Sequence, residues 1–225
     1  MMKQERARRT REKVLDAAAE EFSTQGYSRA TLNAVAQRTG MTKGALYGHF
    51  PSKRALAGAL MSQSRTVWEE MRQARDVPGT EAAVVLEGLV LDLAHRLKAD
   101  VRLRAALRLA TDIPDPAKPH PFRPPAAAAP DIFEDVQRGL VALIRRAQGE
   151  GGMVSRPPEL VAQLLLAVLH GAPHVAFGPP EAAGPAAYDA AWRLLLEALT
   201  GAARGTPLTA APLTAAPLTG AAPPA

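Results

Sequence analysis

Cysteine is absent from the 225-residue chain. Its absence excludes disulfides, thiol nucleophiles and Cys-ligated metal, and it fits a reducing compartment. No apolar run reaches the roughly 20 residues that span a bilayer. The longest, around 160–168, is interrupted and flanked by proline. The basic start "MMKQERARRTREK" is followed by no apolar segment of the signal-peptide kind. The expectation is a cytoplasmic protein with no membrane partner. A phosphate-binding glycine loop is missing. So is a catalytic constellation, because nucleophilic catalysis needs an activated Ser or Lys near a histidine and a carboxylate. The five histidines, His49, His95, His120, His170 and His174, are scattered. His170 and His174 have the i,i+4 spacing of a metal pair. Pro173 lies between them, however, and no nearby carboxylate completes a site. We therefore expect no enzyme, no cofactor, no metal and no catalytic residue.

Positive charge, by contrast, is concentrated. Residues 1–54 hold 11 Lys and Arg against 5 Asp and Glu; the remainder holds 16 against 17. The whole excess therefore sits in the first quarter of the chain. Clustered Lys and Arg are rewarded by polyanions through phosphate contact and counterion release. Charge alone also permits a merely solvated basic face.

Apolar spacing predicts helices throughout. Val14, Leu15, Ala18 and Phe22 share one face of "RTREKVLDAAAEEFSTQG", and Gly26 stands where that helix stops. "ATLNAVAQRTG" starts at an N-cap, Thr31, and stops at Gly40; "MTKGALYGHF" starts at Thr42; Ser52 caps the next helix. Further helices are expected over 52–75, 80–100, 101–111 and 131–149. A proline-rich break follows 101–111, and two more apolar helices follow 131–149. The tail repeats "APLTA" and reads as disordered over 204–225. The expected organisation is a head at 1–51, a helical body at 52–203 and the tail.

Two short helices at about 31–39 and 42–50, joined at Gly40-Met41, have the pattern of a helix-turn-helix. The second is basic and aromatic and would lie in the major groove of duplex DNA. Thr42 at its cap can bond phosphate or a base edge, Lys43 points at phosphate or guanine, and Tyr47 faces the same way one turn on. Thr31 joins them at the start of the first helix, where backbone N–H groups add phosphate contacts. Gly44 admits a close backbone approach to the groove, or alternatively a close helix–helix contact. His49 is open between a phosphate or backbone bond and a structural role. Ala45, Leu46 and Phe50 are expected in the head's core.

The set Val14-Leu15-Asp16-Ala17-Ala18, Phe22, Gly26-Tyr27, Thr31, Val35-Ala36, Gly40, Thr42 to Tyr47, His49-Phe50, Lys53 and Leu56 resembles the TetR-type bacterial repressors. The resemblance covers roughly the first 60 residues. It implies an all-α fold: a three-helix DNA-binding head, a helical ligand-binding and dimerisation domain, and a homodimer on a palindromic operator. It also implies a phosphate contact from Lys53. "KQERARRTREKVLDAAAEEF", "MTKGALYGHF" and "RLRAALRLAT" with "PHPF" look like the gamma-butyrolactone receptor branch of antibiotic-producing actinomycetes. That branch implies acidic true receptors, and basic pseudo-receptors that answer to antibiotics or their precursors. The sequence pI of about 9.9, and the lack of a tryptophan shortly after "PF", place the chain with the second kind.

The resemblance implies repression relieved by a small molecule, with the helix from Ser52 to about Arg75 as the lever between head and body. A mostly apolar effector is expected. Its candidate contacts are Trp68, Met71, Leu89, Leu93, Leu107, Thr111, Phe133, Leu166, His170 and Phe177. The last two helices resemble the family's dimer interface, with Leu164, Val168, Trp192, Leu195 and Leu199 as candidates. A symmetric partner would cover their apolar surface.

Overall fold

Helix starts in this chain are set by hydroxyl caps. The side-chain oxygens of Thr31, Thr42 and Ser52 accept the N–H of Ala34, Ala45 and Ala55 at 3.1, 3.3 and 3.0 Å. Each such cap is worth about 1 kcal/mol. Asp100 does the same for a later helix, accepting from Arg102 N at 2.8 Å and Leu103 N at 3.3 Å. The helix ends are equally local. Gly26 breaks the first helix with φ 70° and ψ 175°. Gly40 closes the second in the left-handed region at φ 69°, which L side chains rarely adopt.

The structure is a computed structural model that describes residues 2–112, 132–171 and 185–201. The proline-rich break after 112, His120, His174, Phe177 and the 204–225 tail lie outside the described residues, as does the side chain of Thr111. Among the described residues there are nine helices and no strand: α1 (Met2–Arg29), α2 (Leu32–Thr39), α3 (Lys43–His49), α4 (Lys53–Arg75), α5 (Ala82–Ala99), α6 (Val101–Thr111), α7 (Ile132–Gly149), α8 (Pro158–Gly171) and α9 (Pro185–Thr200).

Two apolar cores form. The first gathers Val14, Leu15, Ala18 and Phe22 of α1, Val35 and Ala36 of α2, and Leu46 and Phe50 at α3. It also takes Leu56, Ala57 and Leu60 from α4, and Ala105 and Leu109 from α6. The head is therefore not closed by residues 1–51 alone: α1, α2 and α3 leave an apolar face that α4 and α6 cover. The second core is built from α4 to α9, with Met61, Trp68, Leu86, Leu89, Leu93, Leu140, Ile144, Leu165 and Trp192 among its members. The 23 residues of α4 measure about 34 Å and run through both cores. The shorter α6 does likewise, with Leu103 and Leu107 in the second core and Ala105 and Leu109 in the first.

Candidate nucleic-acid interface and effector cavities

The helix α3 is anchored on one side only. Leu46 and Phe50 are buried, whereas Lys43, Gly44, Ala45, Tyr47 and Gly48 are exposed. Ala45, expected in the core, lies on the outer side one residue before Leu46. His49 is half-buried at the end. A Cβ built at Gly44 or Gly48 meets nothing within 4 Å. The helix–helix reading of Gly44 is thereby excluded, because no protein atom requires a missing side chain there. Thr31 and Thr42 are exposed as well, and each capping hydroxyl keeps its proton to donate outward.

Lys53 does something else. Its ammonium donates to the carbonyls of Tyr27 at 2.7 Å, Ala30 at 2.9 Å and Ser28 at 3.4 Å, and sits 4.4 Å from the centre of the Tyr27 ring. An ammonium has three N–H donors, so three carbonyls occupy it. Desolvation by burial lowers its pKa. The phosphate contact implied for Lys53 is corrected by this placement: the break at Gly26 exposes the carbonyls of the α1 end, and Lys53 binds them.

The seam between head and body holds residues that sequence reasoning missed. Arg102 of α6 donates to Glu12 Oε2 at 2.5 Å, Asp16 Oδ1 at 2.7 Å and Gln63 Oε1 at 3.1 Å, joining α1, α4 and α6. Its pKa is raised: desolvation alone would lower it, but the Asp16 and Glu12 hydrogen bonds outweigh that effect. Arg108 donates to the Ser23 carbonyl, and Asp112 accepts the Tyr27 N–H at 2.7 Å. A Cβ at Gly26 would come 2.9 Å from the Asp112 carboxylate. The available signal was the run of arginines on the otherwise apolar "VRLRAALRLAT".

Two cavities bear on the effector expectation. A groove of about 940 Å³ runs between α4 and α7. Its lining includes Trp68, Ala142 and Leu143, with Arg65, Arg72, Arg138 and Arg146 set among Glu69, Glu70, Asp76 and Asp135. Arg65–Asp135 at 2.6 Å and Arg146–Asp76 at 2.8 Å tie the two helices together. Glu69 is held ionised: hydrogen bonds from Arg72 and Gln73 lower its pKa to about 2. The lining is thus far more charged than the expected apolar pocket. A smaller cavity of about 210 Å³ lies at the seam, lined by Ser23, Thr24, Leu97, Arg104, Leu107, Arg108, Leu169 and His170. The predicted contacts therefore separate. Trp68 lines the groove, and Leu107 and His170 share the seam cavity. Met71, Leu89, Leu93 and Leu166 are buried in the second core and Phe133 packs against it; none of these five lines either cavity. Helical periodicity marks a buried face without distinguishing a dry core from a cavity wall.

Residues 14–60 match the model of bacterial regulatory proteins of the tetR family. These residues carry the N-terminal domain of the TetR family. It is 34% identical over 122 residues to the A-factor receptor protein of Streptomyces griseus, covering 54% of this chain and 42% of that one. The matched region thus spans less than half of that relative's length. The fold is similar to a gamma-butyrolactone receptor described as ArpA-like: 26% identity, 86% of this chain and 97% of the other, TM-score 0.63. It is also similar to CprB from Streptomyces coelicolor in complex with its biological operator sequence: 26% identity, 85% and 88% coverage, TM-score 0.65.

Both α8 and α9 expose leucines, though not the set expected. Trp192 is buried in the second core against Tyr188, with ring centroids 6.2 Å apart. It is corrected from interface to core. Leu195, Leu199 and Val168 are half-buried against that same core. Leu164 is 43% exposed, as are Leu160 on α8 at 51% and Leu194 on α9 at 57%. The i,i+4 spacing of Leu160 and Leu164, which puts both on one side of α8, was a legible signal. No described helix is long and apolar enough to cross a membrane.

Proposed function

We propose that this chain is a ligand-responsive, sequence-specific transcriptional repressor of the TetR family. The observation that carries the reading is α3, capped by Thr42, pinned by Leu46 and Phe50, and presenting Lys43, Tyr47 and a glycine with no protein neighbour. That is a helix made to be approached closely by a partner outside the protein. A homodimer formed through Leu160, Leu164 and Leu194 would hold two heads for a palindromic operator, with half-sites about 34–36 Å apart or a multiple of it. The operator complex of CprB supports the same reading. The cytoplasm is where such a repressor acts.

The effector seats in the groove between α4 and α7, over Trp68. Release follows if the ligand prefers an α4 position that spoils the head spacing, and by no more than its differential affinity for the two states. Because α4 and α6 each enter both cores, a shift of α4 reaches the head directly and also through Arg102. We assign the effector to antibiotics or their intermediates, and the target to antibiotic biosynthesis or related genes. The charged groove lining and the basic chain favour a polar ligand. A butyrolactone effector is the second reading, favoured by the names of the A-factor and gamma-butyrolactone receptors. Operator selection from a random duplex pool, followed by mobility shift with antibiotics and with butyrolactones, tests both. No preference for any duplex refutes the repressor reading. Release by butyrolactones alone decides for the second effector.

A further inference from the structure

Most of the head's positive charge is not on its helix-turn-helix. Residues 31–50 hold Arg38 and Lys43 as their only Lys or Arg, and Arg38 is paired with Glu20 and Glu21 at 3.0 and 3.5 Å. Six of the 11 basic residues, Lys3, Arg6, Arg8, Arg9, Arg11 and Lys13, instead precede Val14. Val14 is the first residue of the head's core and the first residue of the family match. The charge thus sits on a segment that neither the core nor the matched region explains.

This segment continues α1 as helix from Met2, and residues 4–9 are all exposed. The Glu5 carboxylate lies 3.6 Å from Arg8 and 3.2 Å from Arg9. Exposed pairs of this kind are weak and leave the arm strongly basic. Its position is set by Arg11, whose guanidinium stacks 4.9 Å from the centre of the Phe50 ring. Phe50 is the C-cap of α3. The arm therefore leaves the head beside the end of the recognition helix. Gln4 to Arg11 extends it by about 10 Å along the helix axis.

We propose that the first three turns of α1 are a second DNA contact, in which Arg6, Arg8 and Arg9 bind the sugar–phosphate backbone flanking the half-site read by α3. The inference rests on the DNA-binding function proposed above. Exposed guanidinium groups recognise phosphate oxygens, and backbone contacts strengthen binding without reading sequence. The arm therefore raises affinity for operator and random duplex alike.

The test uses the full-length protein, with fluorescence anisotropy on its selected operator and on a random duplex across a range of salt. Arg6→Ala/Arg8→Ala/Arg9→Ala is compared with Arg6→Lys/Arg8→Lys/Arg9→Lys. Each phosphate contact contributes roughly 0.9 to the slope of log affinity against log salt. The alanine variant should therefore lose about 2.7 per head if all three engage. Its affinity should fall by the same factor on both duplexes, with thermal melting unchanged. The lysine variant should keep the slope. An alanine variant with the wild-type slope overturns the proposal and points to an acidic partner other than DNA. A loss confined to the operator, or a lysine variant as weak as the alanine one, also overturns it. A wild type that prefers no duplex would sink the repressor reading instead, while its slope on random DNA still decides the arm.

Discussion

Replacing Gly44 and Gly48 by alanine, one at a time, separates folding from binding within one short helix. Both lie inside α3, neither has a positive φ, and an added Cβ meets nothing within 4 Å at either. Alanine therefore brings no clash and no backbone strain. Glycine in a helix interior is less favourable than alanine by about 0.8–1.0 kcal/mol. Each substitution should thus stabilise the protein by up to about 1 kcal/mol, or roughly 2–4 °C in melting temperature for a chain of this size, read by far-UV circular dichroism. Binding should differ. Gly44 follows Lys43 on the exposed side, where a methyl group holds the backbone off the groove, so Gly44→Ala should lose at least about tenfold in operator affinity, or about 1.4 kcal/mol. Gly48→Ala should lose nothing, and Gly48→Phe should tighten binding if a bulky side chain can reach the DNA backbone there. A destabilised Gly44→Ala would refute the open-space reasoning. A stabilised Gly44→Ala with unchanged operator affinity would refute close approach.

Lys53→Met leaves three carbonyls at the α1 end without their donor, and should cost about 1.5–3 kcal/mol in urea denaturation while leaving the salt slope of DNA binding unchanged. Gly139→Ala puts a Cβ 2.7 Å from Trp68 Cζ2. It should destabilise by about 1–3 kcal/mol and shift the Trp68 fluorescence, measured with Trp192 replaced by Phe in both proteins. Leu194→Glu replaces an exposed leucine of α9; it should yield a folded monomer in analytical ultracentrifugation that binds half-sites but not the full palindrome with the original affinity. Glu69 has a folded pKa of about 2 against an ordinary value of 4.5. It therefore contributes stability above the ordinary value and loses it as pH falls through that window, and Glu69→Gln should flatten the acid limb of stability between those values.

What the sequence by itself determined is what short-range chemistry controls. Thr31, Thr42, Ser52, Gly26 and Gly40 act within a few residues of themselves, so the helix boundaries and the helix-turn-helix were legible without coordinates. The buried face of α1 was legible for the same reason, because a 3.6-residue repeat needs no knowledge of its partner. The outward placement of Lys43, Gly44 and Tyr47 belongs to this class.

Only the tertiary structure decided the roles that depend on partners distant in sequence. Lys53 reads as a phosphate ligand until the Tyr27 and Ala30 carbonyls are brought to it. Trp192 reads as an interface residue until the second core closes over it. Leu89 and Trp68 look alike along the chain, yet one is dry core and the other lines a charged groove. The coupling of α6 to α1 through Arg102 spans 86 and 90 positions to Asp16 and Glu12. Periodicity specifies which side of a helix is buried; what lies against that side is set by packing between segments that the linear order does not relate.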